Sequence, residues 1–159
     1  MHNSPQYFNI IIHILHWDEL TNTFDANGYD KLMIRIGIID DHALFRKGFT
    51  MLLEQLGYNV LIEAVHGKDF IHQISEKHQP DIVLLDTQLN VMDSYSILQW
   101  IKIKYPHIPV IALHSRNDKP SLDKLLKGGA AGFISKTSAP QEVDRVIKEV
   151  MGSSKYFMI

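Results

Sequence analysis

The chain has no cysteine, which excludes disulfide bonds and thiolate metal sites and fits a reducing compartment. It also has no apolar run long enough to span a bilayer. The longest near the N-terminus, residues 8–17, is broken by Asn9, His13 and His16. This segment has neither the cationic start nor the cleavage site of a secretory signal. These absences predict a cytoplasmic protein that does not contact a membrane.

A strong charge of one sign is also lacking. The net charge is −2, from 16 basic and 18 acidic residues. Residues 1–32 hold four acids and one base, and the rest is close to neutral. No part has the basic face of a nucleic-acid binder, so we predict no direct nucleic-acid binding. The hydrophobic fraction of 45% in 159 residues is sufficient for one domain with a short appendage.

Three apolar runs end on charged residues. Residues 36–39 lead into Asp40 and Asp41, residues 82–85 end on Asp86, and residues 132–135 end on Lys136. If these runs are parallel strands, their carboxyl ends meet at one rim, where open α/β sheets bind ligands. Three acids and a lysine at one rim suit a divalent cation and a phosphoryl group. Each feature alone has an ordinary reading, as a turn, a helix cap or a solvated lysine, and only the set favours a site.

Strand-like and helix-like segments alternate strictly after Met33, as in a parallel sheet covered on both faces. We predict a doubly wound, five-stranded flavodoxin-like α/β fold with strand order 2-1-3-4-5. The predicted strands are 34–39, 60–65, 82–85, 110–113 and 132–135. Of the five predicted helices, the first ends at Gly57, the second covers 68–78, and the third begins near residue 93 or 94. The fourth covers 120–127 and is ended by Gly128 and Gly129, and the fifth begins within residues 138–141.

Residues 33–156 resemble the receiver domain of bacterial two-component response regulators. The resemblance rests on the acidic pair, the acid that ends the third strand and the lysine that ends the fifth. The opening, Ile38-Ile-Asp-Asp-His-Ala-Leu-Phe-Arg-Lys-Gly48, is most similar to the branch that carries a LuxR/NarL-type helix-turn-helix output domain. It implies a receiver at 33–156, a tail at 157–159 without an output domain, and a poorly ordered extension at 1–32. The alternative for the extension is a docking helix centred on residues 10–15.

The resemblance also implies a mechanism. Asp86 would accept a phosphoryl group from a sensor histidine kinase, so the chain is expected not to be an enzyme itself. Mg²⁺ would be held by Asp41, Asp86 and the backbone carbonyl of Gln88, with Asp40 acting largely through water. Lys136 would pair with a phosphoryl oxygen as a point charge.

The chain departs from the family pattern at the position that transmits phosphorylation. Receivers place Thr or Ser directly after the fourth strand, and this chain has His114 there, followed by Ser115. Phe133, at the family's switch-aromatic position, is normal. Asn90 and Ser94 replace the usual proline and glycine after the acceptor, and both substitutes suit turns or helix starts. We therefore expect phosphorylation to be retained and its coupling to the switch to be weak.

Two other classes of function are alternatives to a phosphorylated receiver. A pseudo-receiver that binds partners without phosphorylation is favoured by His114 and opposed by the intact acids and Lys136. A small metabolic enzyme is disfavoured because the chain has no nucleophile elbow and no dinucleotide fingerprint. For a receiver, the further partners are a second copy of the chain or a DNA-binding output domain.

Overall fold

The computed structural model describes residues 33–152, in which five strands alternate with five helices. The strands are β1 (Arg35–Ile39), β2 (Asn59–Ala64), β3 (Ile82–Asp86), β4 (Val110–His114) and β5 (Gly132–Ser135). The helices are α1 (Ala43–Gln55), α2 (Gly67–Gln73), α3 (Ser94–Lys104), α4 (Lys119–Lys127) and α5 (Pro140–Gly152). The predicted alternation is therefore confirmed, with most bounds shifted by only one residue.

All neighbouring strands are parallel, and the sheet order is β2-β1-β3-β4-β5. This is the predicted flavodoxin-like order. Helices cover both faces, so the central strands β3 and β4 are apolar up to their last residues, Asp86 and His114, and every residue of β3 is buried. Alternate strand residues belong to two separate cores: Val83 and Leu85 lie in one, and Ile82 and Leu84 lie in the other.

Two helices end where glycine was predicted to end them. Gly57 after α1 and Gly129 after α4 have φ of +88° and +103°, a region that favours glycine. In both cases the next amide reaches back to the helix: Tyr58 donates to the Leu53 carbonyl at 3.0 Å, and Ala130 donates to the Leu125 carbonyl at 2.9 Å. These bonds satisfy the last helical carbonyls, as in a Schellman motif.

The prediction for the second helix was wrong at its C-terminal end. The helix was expected to reach residue 78, but α2 ends at Gln73, and Ile74 adopts an extended backbone (φ −75°, ψ 139°). Ser75 and His78 then exchange two backbone hydrogen bonds of 3.3 and 3.0 Å in a tight turn. Since Ile74 is buried, this exit keeps its side chain in the core while the chain reverses towards β3.

The predictions for residues 1–32, including the docking helix at 10–15, and for the tail at 157–159 lie outside the described residues. Within residues 33–152, no helix has both the length and the apolar character needed to cross a membrane.

Deleting residues 1–32 is expected to lower the melting temperature by no more than a few degrees, because residues 36–150 already build both cores. Thermal unfolding of the full chain and of the 33–159 fragment, each at two protein concentrations, measures the difference. A larger drop, or loss of solubility on deletion, would show that the apolar segment at 10–15 packs on the domain.

Candidate functional site

The carboxyl ends of β1, β3 and β5 bring the four predicted residues together. Asp40 and Asp41 follow β1, Asp86 is the last residue of β3, and Lys136 follows β5. The Lys136 ammonium lies 2.7 Å from Asp40 Oδ2 and 3.0 Å from Asp86 Oδ2. The parallel sheet therefore places one cation between two acids that are 46 residues apart in the sequence.

Asp40 is fixed from several sides. Its side chain is fully buried, and its backbone amide donates to the Ala64 carbonyl of β2 at 3.1 Å. Its Oδ1 atom accepts the His42 backbone amide at 2.7 Å. The Arg46 guanidinium, one turn into α1, donates to the Asp40 carbonyl. Since these bonds hold both backbone and carboxylate, Oδ2 stays directed towards Lys136.

Asp86 is held at the junction between β3 and the loop that leads to α3. Its Oδ1 atom accepts the Gln88 amide at 3.3 Å. The buried Ser94 hydroxyl donates to the Asp86 carbonyl at 2.6 Å, which ties the first residue of α3 to the strand end. Ser94 stands where the family usually has glycine, so this departure adds a contact at the site. Asn90, the other departure, donates from its side-chain amide to Asp41 Oδ2 at 2.6 Å.

The charges of the site are strongly coupled. Burial, and then the negative charge of Asp40, raises the pKa of the Asp86 carboxyl, while Lys136 acts in the opposite direction. Burial opposes the charge of Lys136, but hydrogen bonds and attraction from Asp40 and Asp86 outweigh it and raise the pKa of Lys136. The ammonium also lies 4.7 Å from the centre of the Phe45 ring, a favourable cation–π contact. A charged Lys136 thus compensates two buried carboxylates.

The oxygen atoms of the site fit a divalent cation. Three buried carboxylate oxygens face the site: Asp40 Oδ2 and Asp86 Oδ2 share the Lys136 ammonium, and Asp41 Oδ1 accepts no hydrogen bond. Ligand atoms from these three acids and from His42 lie within 4.8 Å of one another. Three carboxylates beside one ammonium leave negative charge in excess, which is costly where it is buried, and a hard cation with oxygen ligands removes that cost. Gln88 is exposed, and its role as a backbone ligand stays a prediction.

The three predicted switch residues lie around the ends of β4 and β5. His114 is the last residue of β4 and pairs with Ser135, while the preceding Leu113 pairs with Asp86. The His114 ring contacts Phe133 edge-on, with 5.6 Å between centroids and an interplanar angle of 62°. Phe133 is 51% exposed, so its ring lies on the surface and is not packed inward. Ser115 is exposed, and its carbonyl lies 3.2 Å from His114 Nδ1.

Two features of the site were missed in the sequence. His42 stands inside the opening motif, but the family resemblance assigns no role to it. The buried pair of Thr87 and Asp118 has no local signal, since the two residues are 31 positions apart. The Thr87 hydroxyl donates to the Asp118 carboxylate, which joins the loop after Asp86 to the loop before α4.

Comparisons with known proteins agree with this geometry. A family model described as the response regulator receiver domain matches residues 36–148. Response regulator UvrY of Escherichia coli is 31% identical over 125 residues, covering 78% of this chain and 57% of that protein. Transcriptional regulatory protein DegU of Brevibacillus brevis is 27% identical, covering 77% of this chain and 52% of DegU.

A solved receiver-domain structure from Clostridium thermocellum superimposes with a TM-score of 0.71 at 24% identity, covering 79% of this chain and 100% of that one. At this identity the likeness supports the fold alone. The chain spans a little over half the length of the curated relatives it resembles. The family model matches most of the chain, on the same residues that form the sheet and the acidic rim, so the chain belongs to the response regulator receiver domain family of two-component phosphorelay signalling.

Proposed function

We propose that Asp86 accepts a phosphoryl group from a phosphorylated histidine of a sensor kinase. A carboxylate oxygen of Asp86 forms the new P–O bond while the P–N bond of the phosphohistidine breaks. The electron pair of the P–N bond leaves with the imidazole. The product is an acyl phosphate on this chain, which is therefore the acceptor in the reaction and not an enzyme with turnover of its own.

The observation that supports this proposal best is the Lys136 ammonium between Asp40 and Asp86, 2.7 and 3.0 Å from their oxygens. Phosphoryl transfer depends mainly on positioning and on charge compensation. After transfer, one negative charge of Asp86 is replaced by those of the phosphoryl oxygens, and Lys136 is placed to pair with one of them. Buried Asp40 keeps the ammonium at this position when Asp86 is modified.

Mg²⁺ is the proposed cofactor, and when bound it supplies further positive charge to the transferring oxygens. Asp41 and Asp86 would ligate it directly together with the carbonyl of Gln88, and Asp40 would act through water. The side-chain amide of Asn90 donates to the Oδ2 atom of Asp41, which leaves the buried Oδ1 atom of Asp41 for the cation.

We further propose that phosphorylation changes the affinity of the surface formed by α4, β5 and α5 for a partner. A second copy of the chain and a DNA-binding output domain are the two candidates. The relatives named above, a response regulator and a transcriptional regulatory protein, support an output in gene control. For signalling of this kind we propose a cytoplasmic location, with the sensor kinase as the upstream partner of the chain.

Beryllofluoride, a mimic of the phosphoryl group, tests the proposal. Added with Mg²⁺, it is expected to shift the backbone amide signals of Asp86, Thr87 and Lys136 in NMR spectra. Beryllofluoride without Mg²⁺ should leave them largely unchanged, because the added negative charge is then compensated by Lys136 alone. Absence of any response with Mg²⁺ present would contradict the proposal.

The second candidate is a pseudo-receiver that binds partners without phosphorylation. The packing of His114 against Phe133 favours it, because the imidazole occupies the place of the small hydroxyl that normally moves towards the phosphoryl group. His114 is larger and carries its donors further from the backbone, so it cannot copy that movement. The beryllofluoride titration separates the candidates, since a pseudo-receiver would not respond to the mimic.

Replacing His114 by Thr is expected to strengthen the response of the switch. The smaller hydroxyl can approach the phosphoryl group and open space for the Phe133 ring, which in the present structure contacts the imidazole. The measurement is the change in the Phe133 signals on adding beryllofluoride and Mg²⁺, in wild type and in His114→Thr. An equal or larger change in wild type would mean that His114 is itself a working switch residue.

A further inference from the structure

We propose that the His42 imidazole joins Asp41 and Asp86 as a third ligand when an imidazole-binding metal such as Zn²⁺ occupies the cation site, and that it thereby raises the affinity of the site for such metals. This inference rests on the proposed function, because it concerns the same cation site. According to this inference, His42 determines which metal the site prefers, because the carboxylates alone do not select between metals.

The position of His42 supports the assignment. Its Nδ1 atom lies 3.2 Å from Asp41 Oδ1, 3.4 Å from Asp40 Oδ1 and 3.6 Å from Asp86 Oδ2. A ring nitrogen and three carboxylates therefore face one small volume. Of the two oxygens that would share the cation with His42, Asp41 Oδ1 is buried and accepts no hydrogen bond, and Asp86 Oδ2 is buried 3.0 Å from the Lys136 ammonium.

The backbone of His42 holds the ring at this place. Its amide donates to Asp40 Oδ1 at 2.7 Å, and its carbonyl accepts the Arg46 amide at 2.9 Å. His42 occupies the N-cap of α1, but its side chain makes no capping hydrogen bond. The side chain is 64% exposed, so it lies at the solvent side of the acidic cluster. Because the imidazole makes no capping hydrogen bond and the backbone of His42 is held in place, the ring can rotate slightly to coordinate a cation.

The donor set then determines the preference. Mg²⁺ prefers oxygen ligands and retains several waters, so an added imidazole contributes little to its binding. Zn²⁺ is bound well by imidazole nitrogen and carboxylate oxygen, often with three protein ligands and an open fourth position. His42, Asp41 and Asp86 would provide three such ligands. Removing His42 should therefore weaken Zn²⁺ and leave Mg²⁺ little changed.

A rival role for His42 makes the opposite prediction. A protonated imidazole next to three carboxylates would act as a counter-ion and compete with any cation. Its removal would then strengthen the binding of Mg²⁺ and Zn²⁺ alike. The sign of the change in affinity, for both metals, distinguishes a ligand from a competitor.

The test is NMR titration of the full chain with MgCl₂ and, separately, with ZnCl₂, following the Gln88 amide. This amide lies 3.3 Å from Asp86 Oδ1, so it reports on this site even if other histidines also bind Zn²⁺. We compare wild type, His42→Ala and the control His72→Ala, which changes an exposed histidine on α2. His42→Ala is expected to weaken Zn²⁺ by about tenfold or more, as loss of even an outer-shell contact commonly does.

The affinity of His42→Ala for Mg²⁺ is expected to be little changed. In His72→Ala the affinities for Mg²⁺ and Zn²⁺ are both expected to stay as in wild type. In wild type, Zn²⁺ should also shift the ¹⁵N signal of His42 Nδ1, a sign of direct ligation. If the affinities of His42→Ala for Zn²⁺ and Mg²⁺ change equally, or if neither changes, the inference about His42 is wrong. Binding of Mg²⁺ to wild type would still support the proposed function in that case. If neither metal moves the Gln88 amide of wild type, the proposed cation site itself is refuted.

Discussion

Replacing Asp86 by Asn is expected to reduce acyl-phosphate formation to the level of a blank while the fold stays intact. Asn keeps the shape of the side chain but removes the nucleophilic carboxylate oxygen. Incorporation of labelled phosphate from a small phosphodonor, in the presence of Mg²⁺, measures the effect. The matched control is Asp123→Asn, which changes an exposed acid on α4 and should be labelled like wild type.

The effect of Asp86→Asn on the stability of the protein also has a predictable direction. Burial and the nearby Asp40 raise the pKa of Asp86 in the folded protein, so its negative charge is less favourable folded than unfolded. In metal-free buffer at neutral pH, Asp86→Asn should be at least as stable as wild type in urea unfolding. Wild-type labelling of Asp86→Asn would refute the acceptor assignment, whereas a marked loss of stability would show that the Asp86 charge supports the fold.

Replacing Lys136 by Met is expected to destabilise the metal-free protein and also to suppress phosphorylation. Methionine keeps the length and apolar stem of the side chain, but Asp40 and Asp86 then face each other without a cation. Removing one partner of a buried pair costs several kcal/mol, and because this site opens to solvent near His42 we expect about 2 kcal/mol at neutral pH. Lys47→Met, an exposed position on α1, is the control.

The pH dependence of this loss has a definite direction. The pKa of Lys136 is raised in the folded protein, so its contribution is fully present below the unfolded pKa and disappears as the pH rises through the folded value. The pKa of Asp86 is also raised, so its protonation in acid removes one of the uncompensated charges. The difference between wild type and Lys136→Met should therefore be largest near neutral pH and smaller towards both acid and strongly alkaline pH. A difference that stays constant over this range would mean that Lys136 acts through packing and not through charge.

The strand pattern was readable in the sequence because both faces of a parallel sheet are buried. Apolar runs of four to six residues alternate with helical periodicity, and their charged ends mark one rim. Glycine marked the ends of α1 and α4 because few other residues adopt positive φ without strain. These signals are local, so they need no knowledge of the partners that a residue meets in the fold.

The failures concern residues whose role depends on distant partners. The end of α2 was placed too late because its exit depends on burying Ile74 in the core and on the turn at Ser75 and His78. The sequence did not predict the hydrogen bond between Thr87 and Asp118 or the one from Ser94 to the Asp86 carbonyl, because hydroxyl groups of this kind occur in any loop.

By itself, the sequence determined the alternation of strands and helices, the order of the sheet by analogy, and the four charged residues that end three strands. Only the tertiary structure decided that Lys136 lies between Asp40 and Asp86, that His42 faces the same carboxylates, and that His114 packs on Phe133. The reason is physical: periodicity and turn chemistry act between near neighbours in the chain. Charge compensation and ring contacts depend on distances across strands, and the packing of the sheet against its helices sets those distances.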